Sequence, residues 1–100
     1  RRDDYATAHP TSALLLVEVS DTTLAYDRGR KASLYASRGI PDYWIVNLAD
    51  GQLEIRRDPR PDPARPVGHG YASGAILRAG DAAAPLLAPA IRLAVADFLP

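Results

Sequence analysis

The chain has 100 residues, of which 47% are hydrophobic and 24% charged, and its 12 basic and 12 acidic residues cancel. This length suits one domain, the neutral balance removes the simplest argument for nucleic-acid binding, and the absence of cysteine excludes disulfides and thiol catalysis. No apolar run approaches the roughly 20 residues that span a bilayer, and no signal-peptide pattern opens the chain. We therefore expect a soluble, cytoplasmic protein with no membrane partner.

The first half of the chain predicts a strand followed by a helix. Residues 1–12 are polar and read as a lead-in segment. Residues 14–19 form an apolar run interrupted only by Glu18, which is typical of a strand covered on both faces. A helical pattern follows over residues 27–38, and Gly39 with Pro41 is expected to end it.

The second half predicts further strands. Residues 43–57 are rich in strand-forming types on both sides of Asp50-Gly51, a strong hairpin signal. The proline-rich residues 58–66 predict an extended loop, and residues 71–77 and 91–95 predict two more strands. This order predicts an α/β domain, bordering on α+β, with a mixed sheet and a flanking helix.

Glu18 places a carboxylate inside the first predicted strand, on the same face as Leu16. An unpaired charge there would cost several kcal/mol or acquire a raised pKa. The position lies near the end of the strand, where open α/β sheets form ligand crevices. Bound Mg²⁺ or Mn²⁺ would resolve the cost, and Lys31, the only lysine, could orient or deprotonate a water or stabilise charge.

Plainer interpretations stay open from the residues alone. Glu18 can mark the exit of the strand into solvent or pair with an arginine. Lys31 follows Asp27 by four residues, the spacing of an ordinary surface ion pair. Tyr35 either faces the same crevice as Lys31 or packs against the sheet, and Ser20 either contacts the ligands or caps the helix. The arginines either contact phosphates or belong to a mixed, solvated surface.

The stretch "LLLVEVSDTTLAYDRGRKASLYASRGIPDYWIVNL", residues 14–48, resembles the Uma-type restriction endonucleases, a bacterial family of the PD-(D/E)XK nuclease superfamily. The resemblance implies a restriction-endonuclease-like mixed sheet and a metal-dependent DNA endonuclease, which hydrolyses a phosphodiester with a metal-activated water. It also implies that Glu18 and the backbone carbonyl of Val19 hold Mg²⁺ or Mn²⁺. Lys31 would be the catalytic lysine, since Ser20 stands where the superfamily usually has it. Three residues would support this site: Ser20, Asp27 and Tyr35.

One part of the superfamily pattern is missing. The "PD" aspartate should precede the first strand, and residues 1–17 contain no such pair. We expect it upstream of Arg1, so that this chain is the C-terminal part of a longer nuclease-like domain and lacks its N-terminal elements. Asp3 and Asp4 are less favoured substitutes, and Pro41-Asp42 stands after the helix.

A second function stays open beside the endonuclease. The alternative is a catalytically inactive, nuclease-like interaction module that self-associates through exposed strand edges. For both functions we expect a homo-oligomer, and a dimer is the favoured form.

Overall fold

The computed structural model describes residues 14–100, so the lead-in segment and the candidate ligands Asp3 and Asp4 lie outside the described residues. Helix α1 consists of three consecutive segments, namely Leu24–Tyr26, a π-helical turn at Asp27–Lys31, and Ala32–Ser37. The strands are β1 Leu16–Ser20, β2 Asp42–Asn47, β3 Gln52–Pro61, β4 His69–Leu77, β5 Ala82–Ala83 and β6 Leu93–Ala94, followed by a 3-10 turn at Val95–Phe98.

The four longer strands form one mixed sheet in the order β1-β2-β3-β4. Strands β1 and β2 are parallel and are joined by α1, whereas the pairs β2–β3 and β3–β4 are antiparallel. A parallel pair needs such a crossover, and an antiparallel pair needs only a short turn. The predicted hairpin, mixed sheet and flanking helix are confirmed, and the fold is α+β.

The sheet separates two apolar clusters. On one face α1 covers Leu16, Tyr43 and Ile45. On the other face the C-terminal segment covers Trp44 and residues of β3, and the rings of Trp44 and Phe98 meet edge to face at 6.0 Å. Within residues 14–100, no helix is both long and apolar enough to cross a membrane.

Strand β1 is buried on one face only, so the prediction of a strand covered on both faces is wrong for the described residues. Leu16 and Ser20 are buried under α1, whereas Val17 is 40% and Val19 64% exposed. The physical reason is the position of β1 at one end of the sheet order, because the C-terminal segment covers β2 and β3 instead.

The proline-rich segment was predicted as a loop, and its first residues belong to β3 instead. Pro59 pairs with Tyr71 and Pro61 with His69, while the pairing of β3 with β2 ends at Arg57. Beyond Arg57, one edge of β3 pairs with no strand of residues 14–100, and a residue without an N–H is tolerated at such an edge. The last predicted strand is also shorter than expected, because the chain turns into the 3-10 helix directly after β6.

Helix α1 begins earlier than residue 27 and contains a wide turn. Thr23 precedes its first residue and uses its hydroxyl to bond the Asp27 carboxylate at 2.9 Å. No side-chain hydrogen bond caps the helix start, so the capping role considered for Ser20 is not found. Gly39 follows the helix with a φ of 73°, a conformation that suits glycine at this position.

Candidate active site

Glu18 is contacted by two side chains from α1. Its side chain lies on the face of β1 that α1 covers, and its Oε2 is 3.1 Å from the Lys31 ammonium. The Tyr35 hydroxyl donates a hydrogen bond to the same oxygen at 2.8 Å. Lys31 and Tyr35 are four residues apart and so share one side of the helix. The structure thus brings together three residues that the sequence singled out.

Asp27 completes this cluster from the wide turn of α1. Its side chain is 2% exposed, and its Oδ1 lies 3.6 Å from the Lys31 ammonium. Oδ2 accepts the hydrogen bond from Thr23, whereas Oδ1 has no hydrogen-bond partner among residues 14–100. One ammonium therefore lies between two carboxylates, and the cluster carries an excess of negative charge.

The Lys31 side chain remains an ammonium in this arrangement. Burial disfavours its charged form, but the hydrogen bond and charge of Glu18, with the charge of Asp27, outweigh burial and raise the pKa of Lys31. The Tyr26 ring lies 5.7 Å from the same ammonium and adds a cation–π contact. A charged lysine can orient groups and neutralise negative charge, but it cannot accept a proton from water.

Val19 and Ser20 end β1 beside Glu18. The Ser20 carbonyl points towards β2, where it accepts the Leu48 N–H at 2.9 Å. Because successive carbonyls of a strand point to opposite edges, the Val19 carbonyl points towards the edge of β1 that pairs with no strand of residues 14–100. The Ser20 hydroxyl is buried and has no hydrogen-bond partner within the described part of the chain.

A second acid under α1 was not singled out from the sequence. Glu54 lies in the same cross-strand row as Glu18, separated from it by Ile45. Its side chain is fully buried. Burial alone would raise its pKa, but hydrogen bonds from its neighbours, first of all from Arg28, lower the pKa to about 2. The sequence did carry a signal for this buried acid, since Glu54 stands between two apolar strand residues as Glu18 does.

The donors to Glu54 fix it firmly. Four side chains donate hydrogen bonds to its two oxygens: Arg28 at 2.8 Å, Asn47 at 2.8 Å, Gln52 at 3.0 Å and Arg56 at 3.1 Å. A carboxylate with this many donors has little remaining capacity for a further ligand. Glu54 is therefore a structural acid.

Asp42, the aspartate of Pro41-Asp42, lies on the other face of the sheet from Glu18. It shares that face with Trp44, whose indole N–H donates to it at 2.7 Å, and it also pairs with Arg57 at 2.8 Å. The Leu86 backbone N–H donates to its second oxygen. Asp42 thus anchors the C-terminal segment and takes no part in the Glu18 cluster.

The chemistry of the donor set fits a hard divalent cation, although the described residues supply only part of a coordination shell. Carboxylate and carbonyl oxygens, which Mg²⁺ and Mn²⁺ prefer, come from Glu18, Asp27 and Val19. The observation that favours a cation here is the buried Oδ1 of Asp27, which accepts no hydrogen bond within residues 14–100 and has the Lys31 ammonium 3.6 Å away. Among residues 14–100, no three His, Asp or Glu side chains are grouped so that they could hold a metal.

Comparison with known protein families gives a match that covers most of the chain. The model of the Uma2 family, described as "Putative restriction endonuclease", matches residues 1–96. This span includes β1, α1 and the whole four-stranded sheet, and with them the Glu18 cluster. Neither a curated protein nor a solved structure matches the chain.

Proposed function

The chain belongs to the Uma2 restriction endonuclease family, and from this premise we propose that it is a metal-dependent DNA endonuclease. Water attacks the phosphorus of a phosphodiester, a new P–O bond forms, and the bond to the leaving deoxyribose oxygen breaks. The attacking water releases a proton to solvent, and the leaving oxygen takes one up from solvent. Glu18 and the Val19 carbonyl would hold Mg²⁺ or Mn²⁺. A divalent cation bound there supplies acidification of water and neutralisation of phosphate charge.

The observation that carries this proposal is the Lys31 ammonium between the Glu18 and Asp27 carboxylates. In the proposed mechanism Lys31 stabilises the negative charge that develops on the phosphate oxygens, and it does so as a cation. Asp27 positions the ammonium from the preceding turn. Tyr35 orients the Glu18 carboxylate through its hydroxyl.

We propose further that the segment preceding β1 supplies another carboxylate and that the described sheet is the C-terminal part of a larger nuclease-like sheet. This view is supported by the edge of β1 towards which the Val19 carbonyl points, because no strand of the described residues pairs there. The exposed Val17 and Val19 side chains also favour a further covering element. Replacing Asp3 and Asp4 together by asparagine tests whether residues 1–13 provide the carboxylate. If one of these two aspartates provides it, the double variant should lose cleavage.

Nicking of supercoiled plasmid in Mn²⁺ tests the endonuclease. Glu18→Gln and Lys31→Met should each reduce the cleavage rate about 100-fold or more, because each removes a charge from the reacting centre. Each has a control with the same charge change on an exposed residue, Asp97→Asn for Glu18→Gln and Arg30→Met for Lys31→Met. Equal rates for a variant and its control, or no cleavage by the folded protein, would contradict the proposal.

The second candidate, an inactive module that self-associates, is favoured by one observation. Leu14, Val17 and Val19 are exposed beside an edge of β1 that has no neighbouring strand in the described part of the chain, an arrangement that promotes pairing between chains. Light scattering of the protein and of Val19→Lys would test it. A dimer that Val19→Lys dissociates, in a protein without Mn²⁺-dependent cleavage, would favour the module over the enzyme.

A further inference from the structure

A groove of about 340 Å³ lies between α1, the middle of β3, the loop that follows β3, and the first residues of β4. It is on the other side of α1 from Lys31, because Gly29, Ala32 and Ser33 line it while Lys31 and Tyr35 face Glu18. The groove and the Glu18 cluster therefore share one helix and use different sides of it.

The groove is lined by positive charge. Three arginines line it, namely Arg28, Arg56 and Arg65. Only two carboxylates pair with them in the described residues, because Glu54 pairs with both Arg28 and Arg56, and Asp62 pairs with Arg65. A guanidinium has five N–H donors, so these ion pairs leave donors available for another acceptor. Planar guanidinium groups are the side chains best suited to phosphate oxygens.

The floor of the groove is built from small residues and a histidine. Gly70 and Gly74 leave space beside Arg65 and Arg56, since a Cβ at either position would approach those side chains to 3.1 Å. His69 also lines the groove, and its Nδ1 is buried without a hydrogen-bond partner in the described residues. Ser33 fixes this strand start to α1, because its hydroxyl donates to the His69 carbonyl at 2.6 Å.

We propose that this groove binds a backbone phosphate of the DNA strand, at a position other than the scissile phosphate. The inference rests on the proposed endonuclease function, which supplies the polyanion. An α-helix with its side chains is about 10 Å across, so the two sites would contact different phosphates, separated by at least about that width. The groove would then fix where the strand lies relative to Glu18 and Lys31.

The test is binding of a fluorescein-labelled 20-base-pair duplex without divalent metal, measured by anisotropy over a series of salt concentrations. Arg65→Gln should weaken binding and reduce the slope of log Kd against log salt by about 1, as expected for one lost phosphate contact. Arg60→Gln is its control, because Arg60 also pairs with a nearby aspartate at the surface but does not line the groove.

A second pair of variants leaves every arginine in place. Ala72→Glu puts a negative charge into the groove from an exposed position of β4 and should weaken duplex binding about tenfold. Ala75→Glu adds the same charge at an exposed position of the same strand outside the groove, and its affinity should stay within twofold of the original protein. Circular dichroism checks that both variants remain folded.

The outcomes separate the groove from the nuclease. Equal effects within each pair, or no duplex binding, would overturn the groove proposal even if cleavage depends on Glu18. A second outcome is that the groove variants weaken duplex binding and their controls do not, in a protein that does not cleave DNA. This outcome would support the groove proposal and contradict the nuclease proposal. If inorganic phosphate shifts the amide resonances of Gly70 and Gly74 but the variants bind duplex equally, the ligand is free phosphate and the DNA assignment is wrong.

Discussion

Two acids of the same cross-strand row lie under α1, and their surroundings differ. Glu54 is fully buried and accepts hydrogen bonds from four side chains. Glu18 is 20% exposed, and both partners found for it in residues 14–100 contact one oxygen, Oε2. Each acid has a cation from α1, Arg28 for Glu54 and Lys31 for Glu18.

The difference separates a structural acid from an available one. Removing a buried, fully bonded carboxylate leaves its donors unsatisfied, which is costly, whereas a partly exposed pair contributes little to stability. The same cation–carboxylate pair therefore belongs to a fully buried network at β3 and to a partly exposed acid at β1. The predictions below test this contrast.

The largest effect is expected for stability. Glu54→Ala should lower the free energy of unfolding by about 3 kcal/mol, because it leaves Arg28, Arg56 and their neighbours without an acceptor. Glu18→Ala should lower it by less than about 1 kcal/mol, since its ion pair is partly exposed. Urea denaturation of both variants provides the measurement. Similar losses for the two would contradict the assignment of Glu54 as the structural acid.

Acid should remove the stability that Glu54 contributes. Its pKa is lowered from 4.5 to about 2 in the folded protein, so its contribution is complete above pH 4.5 and is lost as the pH falls towards 2. The difference in unfolding free energy between the original protein and Glu54→Gln should thus shrink by about 3 kcal/mol over this interval. A difference that stays constant from pH 6 to pH 2 would argue against the lowered pKa.

A smaller effect distinguishes the role of Lys31. If Lys31 acts as a cation, Lys31→Arg should retain activity and lose only about tenfold in rate, because the charge persists in a different geometry. If it acted as a base, arginine would be as inactive as methionine, since guanidinium does not release its proton. Cleavage rates of Lys31→Arg and Lys31→Met, measured side by side, decide between these roles.

The smallest effect is expected at Tyr35. Tyr35→Phe removes the hydroxyl that donates to Glu18 and should reduce the cleavage rate by a few-fold, with a stability loss of about 0.5 kcal/mol. Tyr26→Phe is the matched control, because Tyr26 is a half-exposed tyrosine of the same helix that presents its ring, not its hydroxyl, to Lys31. A rate unchanged by Tyr35→Phe would remove Tyr35 from the proposed site.

Local signals predicted the parts of the fold that depend on neighbouring residues. Asp50-Gly51 fixed the hairpin, and Gly39 with Pro41 fixed the end of α1. The spacing of Asp27, Lys31 and Tyr35 put them on one helix side, where the structure brings them towards Glu18. These features follow from residue type and short-range periodicity alone.

The parts that sequence reasoning missed depend on long-range pairing. Arg28 and Glu54 are 26 residues apart, and only the packing of α1 on β3 brings them together. The exposure of Val17 depends on which strand ends the sheet, and the strand at Pro59 depends on a free edge beside it. Neither the sheet order nor the extent of its cover can be read from the composition of a single segment.

The π-helical turn at Asp27–Lys31 sets the rotational phase of everything that precedes it on α1. Each residue advances a helix by about 100°, so one residue more or less in that turn would rotate the preceding residues by that angle relative to Tyr35. A chain shortened by one residue there would keep the helix, the sheet and the composition of the site. It would nevertheless rotate Leu24 away from the apolar cluster under α1 that it now contacts.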